Sequence, residues 1–198
     1  MSRQSIAKTY DTLADKYVKE SYENHLAANS LKQFQEFLPK NSKILDVGCG
    51  GGQDSKFLAE LGCNVLGIDI SNEMIKLAQK LAPKAKFVNT DLSEFNSKEK
   101  FDGIWCCRVF HHVSFQEQEN FLKKLGELLK SGGILYITCA VSDKNSDFEA
   151  FDSGNGNLLK KRLTPESFKS MLTDQCFEIK QSNFWNAKKA MEIFASKV

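Results

Sequence analysis

The 198-residue sequence has no apolar run approaching the ~18 residues that a membrane-crossing helix needs, and Met1 to Tyr10 holds no hydrophobic stretch of the signal-peptide kind. It also has no block of a single charge. Lys and Arg total 27 and Asp and Glu 25, a net +2, with the lysines spread over the whole length, so no segment can neutralise many phosphates at once. A membrane partner and an extended nucleic-acid footprint are disfavoured, and a soluble, cytoplasmic protein is expected. No Cys-x-x-Cys pair occurs among the cysteines at 49, 63, 106, 107, 139 and 176, and four of the six fall in or beside expected strands. Reduced, largely buried thiols are therefore expected in place of disulfides or a metal site. No internal repeat is visible.

What is present is an alternation of short apolar runs with amphipathic segments, the pattern of parallel strands joined by helical crossovers. The spacing predicts strands at 43–47, 64–68, 85–89, 101–106 and 133–140, and helices at 54–61, 72–81 and 116–129, the last stopped by Ser131-Gly132-Gly133. After Cys139 the pattern changes. Residues 142–160 are polar, carry Gly154-Asn155-Gly156-Asn157, and read as a long loop or insertion; Thr164-Pro165-Glu166-Ser167 then opens a helix with Thr164 as its N-cap. Two further strands, 177–182 and 188–196, suggest an antiparallel hairpin that closes an α/β sheet of seven strands. The early helices at 5–20 and 26–37 have no strand of their own and are expected to cap the carboxyl edge of the sheet, where open α/β sheets bind ligands. The length suits one domain, 1–198, divided into a helical cap (1–40), a cofactor-binding core (41–140) and a loop, helix and closing hairpin (141–198).

The most informative segment is Asp46-Val47-Gly48-Cys49-Gly50-Gly51-Gly52-Gln53-Asp54, a buried-type strand running through a glycine-rich turn into a helix. Gly48 and Gly50 can take positive φ and carry no Cβ, so a ligand can approach the backbone there. A dinucleotide fingerprint, Gly-x-Gly-x-x-Gly, requires glycine at 53, and the chain has Gln53. Acids stand there instead. Asp46 precedes the turn, Asp69 ends the second strand beside Ile70, and Asp91 follows the third beside Leu92. A carboxylate just outside a strand end suits a bidentate hydrogen bond to a ribose diol. Taken one by one, these acids are equally well read as turn formers or caps; together they line one crevice.

Those residues, with Phe101-Asp102-Gly103-Ile104-Trp105 as fourth strand and Leu129-Lys130-Ser131-Gly132-Gly133 before the fifth, resemble a class I S-adenosylmethionine-dependent methyltransferase of the small-molecule type. The likeness covers about 43–140 well, and Tyr10-Asp11-x-Leu13-Ala14-x-x-Tyr17 is similar to the N-terminal helix that many such enzymes fold over the cofactor. It implies a Rossmann-like, mostly parallel seven-stranded sheet with an antiparallel C-terminal hairpin, helices on both faces and an N-terminal helical cap. Two positions depart from the family pattern. Ser131 stands where proline is common, and Arg108 follows the fourth strand where a small residue is frequent, a difference that bears on substrate choice.

The resemblance also implies roles. Asp46 would organise the glycine loop, Gly48 and Gly50 would meet the methionine part of S-adenosylmethionine, and Asp69 with Ile70 would hold the ribose. Met74 would pack on the adenine, unless it is a core methionine, and Asp91 with the Leu92 amide would meet the adenine edge. The backbone of Cys107 and Arg108 would lie beneath the methyl donor, and Tyr10, Tyr17 or Phe110 could border its sulfonium. Methyl transfer is an in-line displacement in which alignment does most of the work, so a base is needed only if the acceptor must lose a proton. The candidates are Tyr10, Tyr17, His111, His112 and His25; His112 is read first as a loop anchor, and His111 is equally read as a surface residue. Cys106 and Cys107 read as packing at a strand end. Arg108, Lys160, Lys161 and Arg162 either bind an acidic substrate or are solvated. The expected protein is thus a methyltransferase for a small-molecule acceptor, a monomer or homodimer. An NAD-dependent oxidoreductase using the same crevice and a non-catalytic binding module are the alternatives, with a nucleic-acid or protein acceptor as a lesser variant.

Overall fold

Strand β1 (Lys43–Val47) sits at the centre of a parallel sheet because Ile44, Leu45 and Val47 are buried on both of its faces. The computed structural model of the chain describes residues 2–23, 27–152, 157–185 and 189–198. On one side of β1 lie β2 (Asn64–Asp69) and β3 (Lys86–Asn89); on the other lie β4 (Phe101–Cys106) and β5 (Leu129–Val141), all parallel. Strand β9 (Ala190–Lys197) then runs antiparallel to β5, pairing Ile134 with Ser196 through Ala140 with Ala190, and β8 (Phe177–Trp185) runs antiparallel to β9. These seven strands are the expected sheet, with the closing hairpin longer than the sequence pattern suggested.

Within the region expected to be a loop, the described residues form two further antiparallel strands, β6 (Ser146–Asp152) and β7 (Asn157–Leu163), so the described sheet has nine strands; Gly154, Asn155 and Gly156 lie outside the described residues. The physical basis of these strands lies in β5, which extends to Val141. There its free edge pairs Ala140 and Val141 with Arg162 and Leu163. The polar composition of 142–160 hid this, because the ladder depends on backbone groups supplied by a distant strand rather than on apolar side chains.

Two apolar layers flank the sheet. On one face Leu45, Ile68, Ile104, Ile137 and Cys139 pack with Leu122 and Leu125 of α5 (Phe115–Leu128) and with Phe168 and Leu172 of α6 (Pro165–Asp174). On the other, Ile44, Val65, Trp105, Tyr136 and Phe194 pack with Leu31 and Phe34 of α2 (Ala28–Glu36) and with Leu58 of α3 (Gln53–Glu60). The alternation Ile104/Trp105 and Tyr136/Ile137 sends neighbours to opposite layers, as the two-residue period of a strand requires. Helix α2 therefore covers a sheet face, not the carboxyl edge as expected. It lies there because Phe34 stacks edge-on to Trp105 at 5.3 Å and fills the space over Gly103, where a Cβ would come within 2.8 Å of its ring. Only α1 (Arg3–Glu23) caps, resting on α4 (Asn72–Leu81) through Ala14, Val18 and Met74. That small cluster contrasts with the two large layers.

Candidate active site

The turn after β1 is tied to β2 by Gly48 and Cys49, whose N–H groups both donate to the Ile68 carbonyl, at 2.8 and 3.0 Å. Gly48 and Gly50 take the expected left-handed backbone, with φ of 68° and 51°. They differ in surroundings. A Cβ on Gly48 would lie 2.2 Å from the Val109 side chain, whereas one on Gly50 would meet nothing within 4 Å. Gly50 faces a cavity of about 350 Å³ at the carboxyl edge of the sheet. Gly51, behind it, lets Val18 of α1 approach to where a Cβ would be only 2.3 Å away, so the turn also seats the cap.

The Asp69 carboxylate accepts from the Gly50 N–H at 2.9 Å through one oxygen and from the Ser71 N–H at 2.8 Å through the other. Those bonds fix its plane and leave each oxygen a further acceptor site. Burial raises its pKa against the pull of those two amides. Asp46 is almost fully buried and accepts the Ser55 hydroxyl at 2.6 Å. Burial, followed by the nearby Asp54 charge, pushes its carboxyl up to about 8. Asp91, half-buried on the rim, accepts from the Ser93 N–H at 2.8 Å and forms an ion pair with Arg3 at 3.2 Å. The same guanidinium donates to Glu117 at 2.6 Å, which ties the start of α1 to α5 across the opening.

The roof comes from α1. The Tyr10 hydroxyl is 3.0 Å from Nε2 of His112, and Nε2 of His111 is 3.1 Å from that same nitrogen. Tyr10 meets Tyr17 edge-on at 5.7 Å, and the Arg108 guanidinium lies 5.8 Å from the Tyr17 ring centre. Burial, with Tyr17 beside it, raises the Tyr10 phenol well above its ordinary pKa, which keeps it a neutral donor. On the floor, Met74 is buried and opens a hydrophobic wall; the start of its helix is capped by Ser71, whose hydroxyl accepts the Met74 N–H at 3.2 Å.

Asp46, Gly48, Gly50, Asp69, Ile70, Met74, Asp91, Leu92, Cys107, Arg108, Tyr10, Tyr17 and His112 all line the one cavity. His111 does not, and it is no surface residue: its side chain is buried behind His112. Phe110 is likewise removed from the site. It is fully buried against Phe121 and Phe168, because the short helical turn Phe110–His112 points its first residue into the core. His25 lies outside the described residues. Cys106 and Cys107 are both buried, as strand-end packing requires, and burial pushes the Cys107 thiol up to about 12. Lys161 is also buried, its ammonium 4.3 Å from the Phe115 ring centre.

Sequence reasoning missed the α5 wall. Glu117, Asn120, Phe121 and Lys124 line the cavity at the i, i+3, i+4, i+7 spacing of one helix face. That spacing was visible, but the apolar stripe of the same helix was the stronger signal. Asp54 was also missed as a lining residue; the Trp105 indole N–H donates to it at 2.8 Å, which holds a carboxylate at the inner end of the cavity. Among the described residues no cluster of three His, Cys, Asp or Glu side chains is placed to hold a metal, and no helix is long and apolar enough to cross a membrane.

A parallel sheet ordered β3-β2-β1-β4-β5, closed by an antiparallel strand, with a glycine turn after β1 and acids at three strand ends, defines the class I methyltransferase fold. Residues 44–133 match the family described as a methyltransferase domain. Over 102 residues the chain is 37% identical to the ubiquinone biosynthesis O-methyltransferase of Pelagibacter ubique, covering 50% of this chain and 42% of the relative. The chain thus spans about half the length of the curated relatives it matches. Among solved structures, the [4+2]-cyclase SpnF superposes with a TM-score of 0.82 at 16% identity, over 100% of this chain and 97% of that one. The Burkholderia thailandensis 1,6-didemethyltoxoflavin-N1-methyltransferase, with bound 1,6-didemethyltoxoflavin and S-adenosylhomocysteine, superposes with a TM-score of 0.71 at 20% identity, over 100% and 91%. These two likenesses concern the fold.

Proposed function

We propose that the protein transfers a methyl group from S-adenosylmethionine to a small-molecule acceptor. The reading is carried by one observation: the glycine turn, the doubly hydrogen-bonded Asp69, Met74 and Asp91 share a single cavity beneath α1. The residues fit the cofactor. Asp69 is oriented for a diol, Met74 offers a polarizable wall for a purine, and Asp54 and Asp69 favour positive charge beside the glycine turn. When bound, S-adenosylmethionine supplies an electrophilic methyl group on a sulfonium sulfur. The chain's own residues then bind, align and exclude water. Alignment of this kind accounts for roughly 7–11 kcal/mol of barrier in favourable cases. Tyr10 and Tyr17 border the reacting end, and the Tyr10–His112 pair can take up a proton from an acceptor that must lose one.

Ubiquinone biosynthesis and hydroquinone methylation name two relatives of the matched segment, which supports a small cyclic acceptor. The free thiols, five of six buried, support a reducing cytoplasmic setting, and a monomer or homodimer is the assembly to test by light scattering. The NAD alternative is disfavoured by Gln53, which opens α3 directly after Gly52 where a third glycine would pack. Titration calorimetry with S-adenosylmethionine and S-adenosylhomocysteine is the first test: micromolar binding that Asp69→Ala abolishes is expected, and a flat titration with both refutes the reading. Methyl release across a panel of phenols, amines, thiols and carboxylates then separates an enzyme from a binding module.

A further inference from the structure

Three cations line the cavity wall: Arg3, Lys124 and Arg108. Arg3 is paired with Asp91 and Glu117, and Lys124 donates to the Asn96 side chain at 3.0 Å. Arg108 differs. Among the described residues no carboxylate lies within ion-pair distance of it; its neighbours are the Tyr17 ring and the Cys107 thiol, a weak acceptor. A contact with a ring engages the charge of a guanidinium and leaves much of its N–H fork available.

The backbone presents this side chain deliberately. Arg108 has φ 61°, a left-handed conformation that is strained for any residue carrying a Cβ. The Arg108 N–H donates to the Thr138 hydroxyl at 2.7 Å, which holds that conformation in place. Opposite charge lies close by: Asp54, held by Trp105, contributes to the high pKa of Arg108 without forming an ion pair with it.

Resting on the methyl-transfer reading, we propose that Arg108 is the receptor for a carboxylate in this cavity, carried by the amino-acid end of the methyl donor or by the acceptor. A carboxylate has two coplanar oxygens that match the guanidinium fork. A phosphate suits the site poorly, since Asp54 and Asp69 disfavour a dianion and the cavity's other two cations are already engaged by Asp91, Glu117 and Asn96. A zwitterion suits it best, with its ammonium among the acids and its carboxylate on Arg108.

The test compares wild type, Arg108→Gln and Arg108→Lys by calorimetry with S-adenosylhomocysteine, with 5′-methylthioadenosine, which lacks the amino-acid end, and with benzoate on protein saturated with S-adenosylhomocysteine. If the donor supplies the carboxylate, Arg108→Gln weakens S-adenosylhomocysteine by about tenfold or more, ~1.4 kcal/mol, and leaves 5′-methylthioadenosine unchanged, which also shows that the variant folds. If the acceptor supplies it, Arg108→Gln instead abolishes benzoate binding to the loaded protein. Arg108→Lys recovers part of the affinity in either case, because charge is kept and the fork is lost. Isotherms of Arg108→Gln that match wild type for both S-adenosylhomocysteine and benzoate overturn the proposal, as does equal weakening of S-adenosylhomocysteine and 5′-methylthioadenosine. A wild-type protein that binds neither nucleoside refutes the donor reading itself.

Discussion

The Asp11 carboxylate of α1 accepts the hydroxyl of Ser71, the N-cap of α4, at 2.6 Å, and the same oxygen accepts the Glu73 N–H at 3.1 Å. The start of α4 is thus capped twice, once by Ser71 itself and once from the roof of the cavity. Negative charge is favoured at a helix N-terminus, which offsets the repulsion that Asp11 exerts on Asp69 next door. The cap is therefore joined to the strand end that carries the proposed ribose carboxylate.

Asp11→Ala should loosen the roof more than the core. Loss of a charged cap costs about 1–2 kcal/mol, small against two large apolar layers but large against the contact of α1 with α4. Limited proteolysis is expected to cut α1 first in the variant, with S-adenosylhomocysteine restoring protection. Identical cleavage patterns in variant and wild type would remove Asp11 as the anchor.

Gly48→Ala and Gly50→Ala should separate stability from binding. Both introduce a left-handed alanine at roughly 1–2 kcal/mol, but Gly48→Ala also drives a Cβ to within 2.2 Å of Val109, so its melting temperature should fall further. Gly50→Ala opens onto the cavity and should lose more ligand affinity per unit of stability lost. Thermal melts with and without S-adenosylhomocysteine measure both quantities, and the reverse order for melting temperature would contradict this packing.

Asp46 makes stability depend on pH. Its carboxyl titrates near 3.8 when free and at about 8 in the fold, so between those values the folded state binds more protons than the unfolded state. Stability from this group is therefore fully present below about pH 4, declines as pH rises, and levels off above about 8. Denaturant midpoints for wild type minus Asp46→Asn should slope downward across that window. A difference curve that is flat or rises with pH would show that Asp46 ionises normally.

Tyr10→Phe keeps the packing against Tyr17 and removes the hydrogen bond to His112. Stability should fall by about 1 kcal/mol, and methyl release to a phenolic acceptor should drop by roughly 10²-fold or more, with S-adenosylhomocysteine affinity nearly unchanged. Unaltered turnover on every active acceptor would leave Tyr10 a structural clamp.

Much of the fold was legible because its signals are local. The apolar runs at 43–47, 64–68 and 101–106 became β1, β2 and β4 within a residue or so, and Thr164 caps α6 by accepting the Ser167 N–H, as its sequence context implied. The failures are equally specific. The β6–β7 pair forms along an edge that β5 offers, and α2 lies over Gly103, a position far away in sequence. His111 and His112 are neighbours in the chain with the same chemistry. Only His112 reaches the cavity, because the short turn they share sends the two rings to different depths.

The alternating α/β plan, the left-handed turn at Gly48 and Gly50, and the acids that end the strands are encoded in short stretches of chain, since each depends on dihedral freedom, periodicity or the side chain's own chemistry. Which of these residues meet depends on long-range packing. It brought Tyr10 to His112 across 102 residues of chain separation and Asp11 to Ser71 across 60, and it left Arg108 at the cavity wall without a carboxylate partner among the described residues. Contacts of that kind depend on how whole helices pack against the sheet, and no short stretch of sequence encodes that packing.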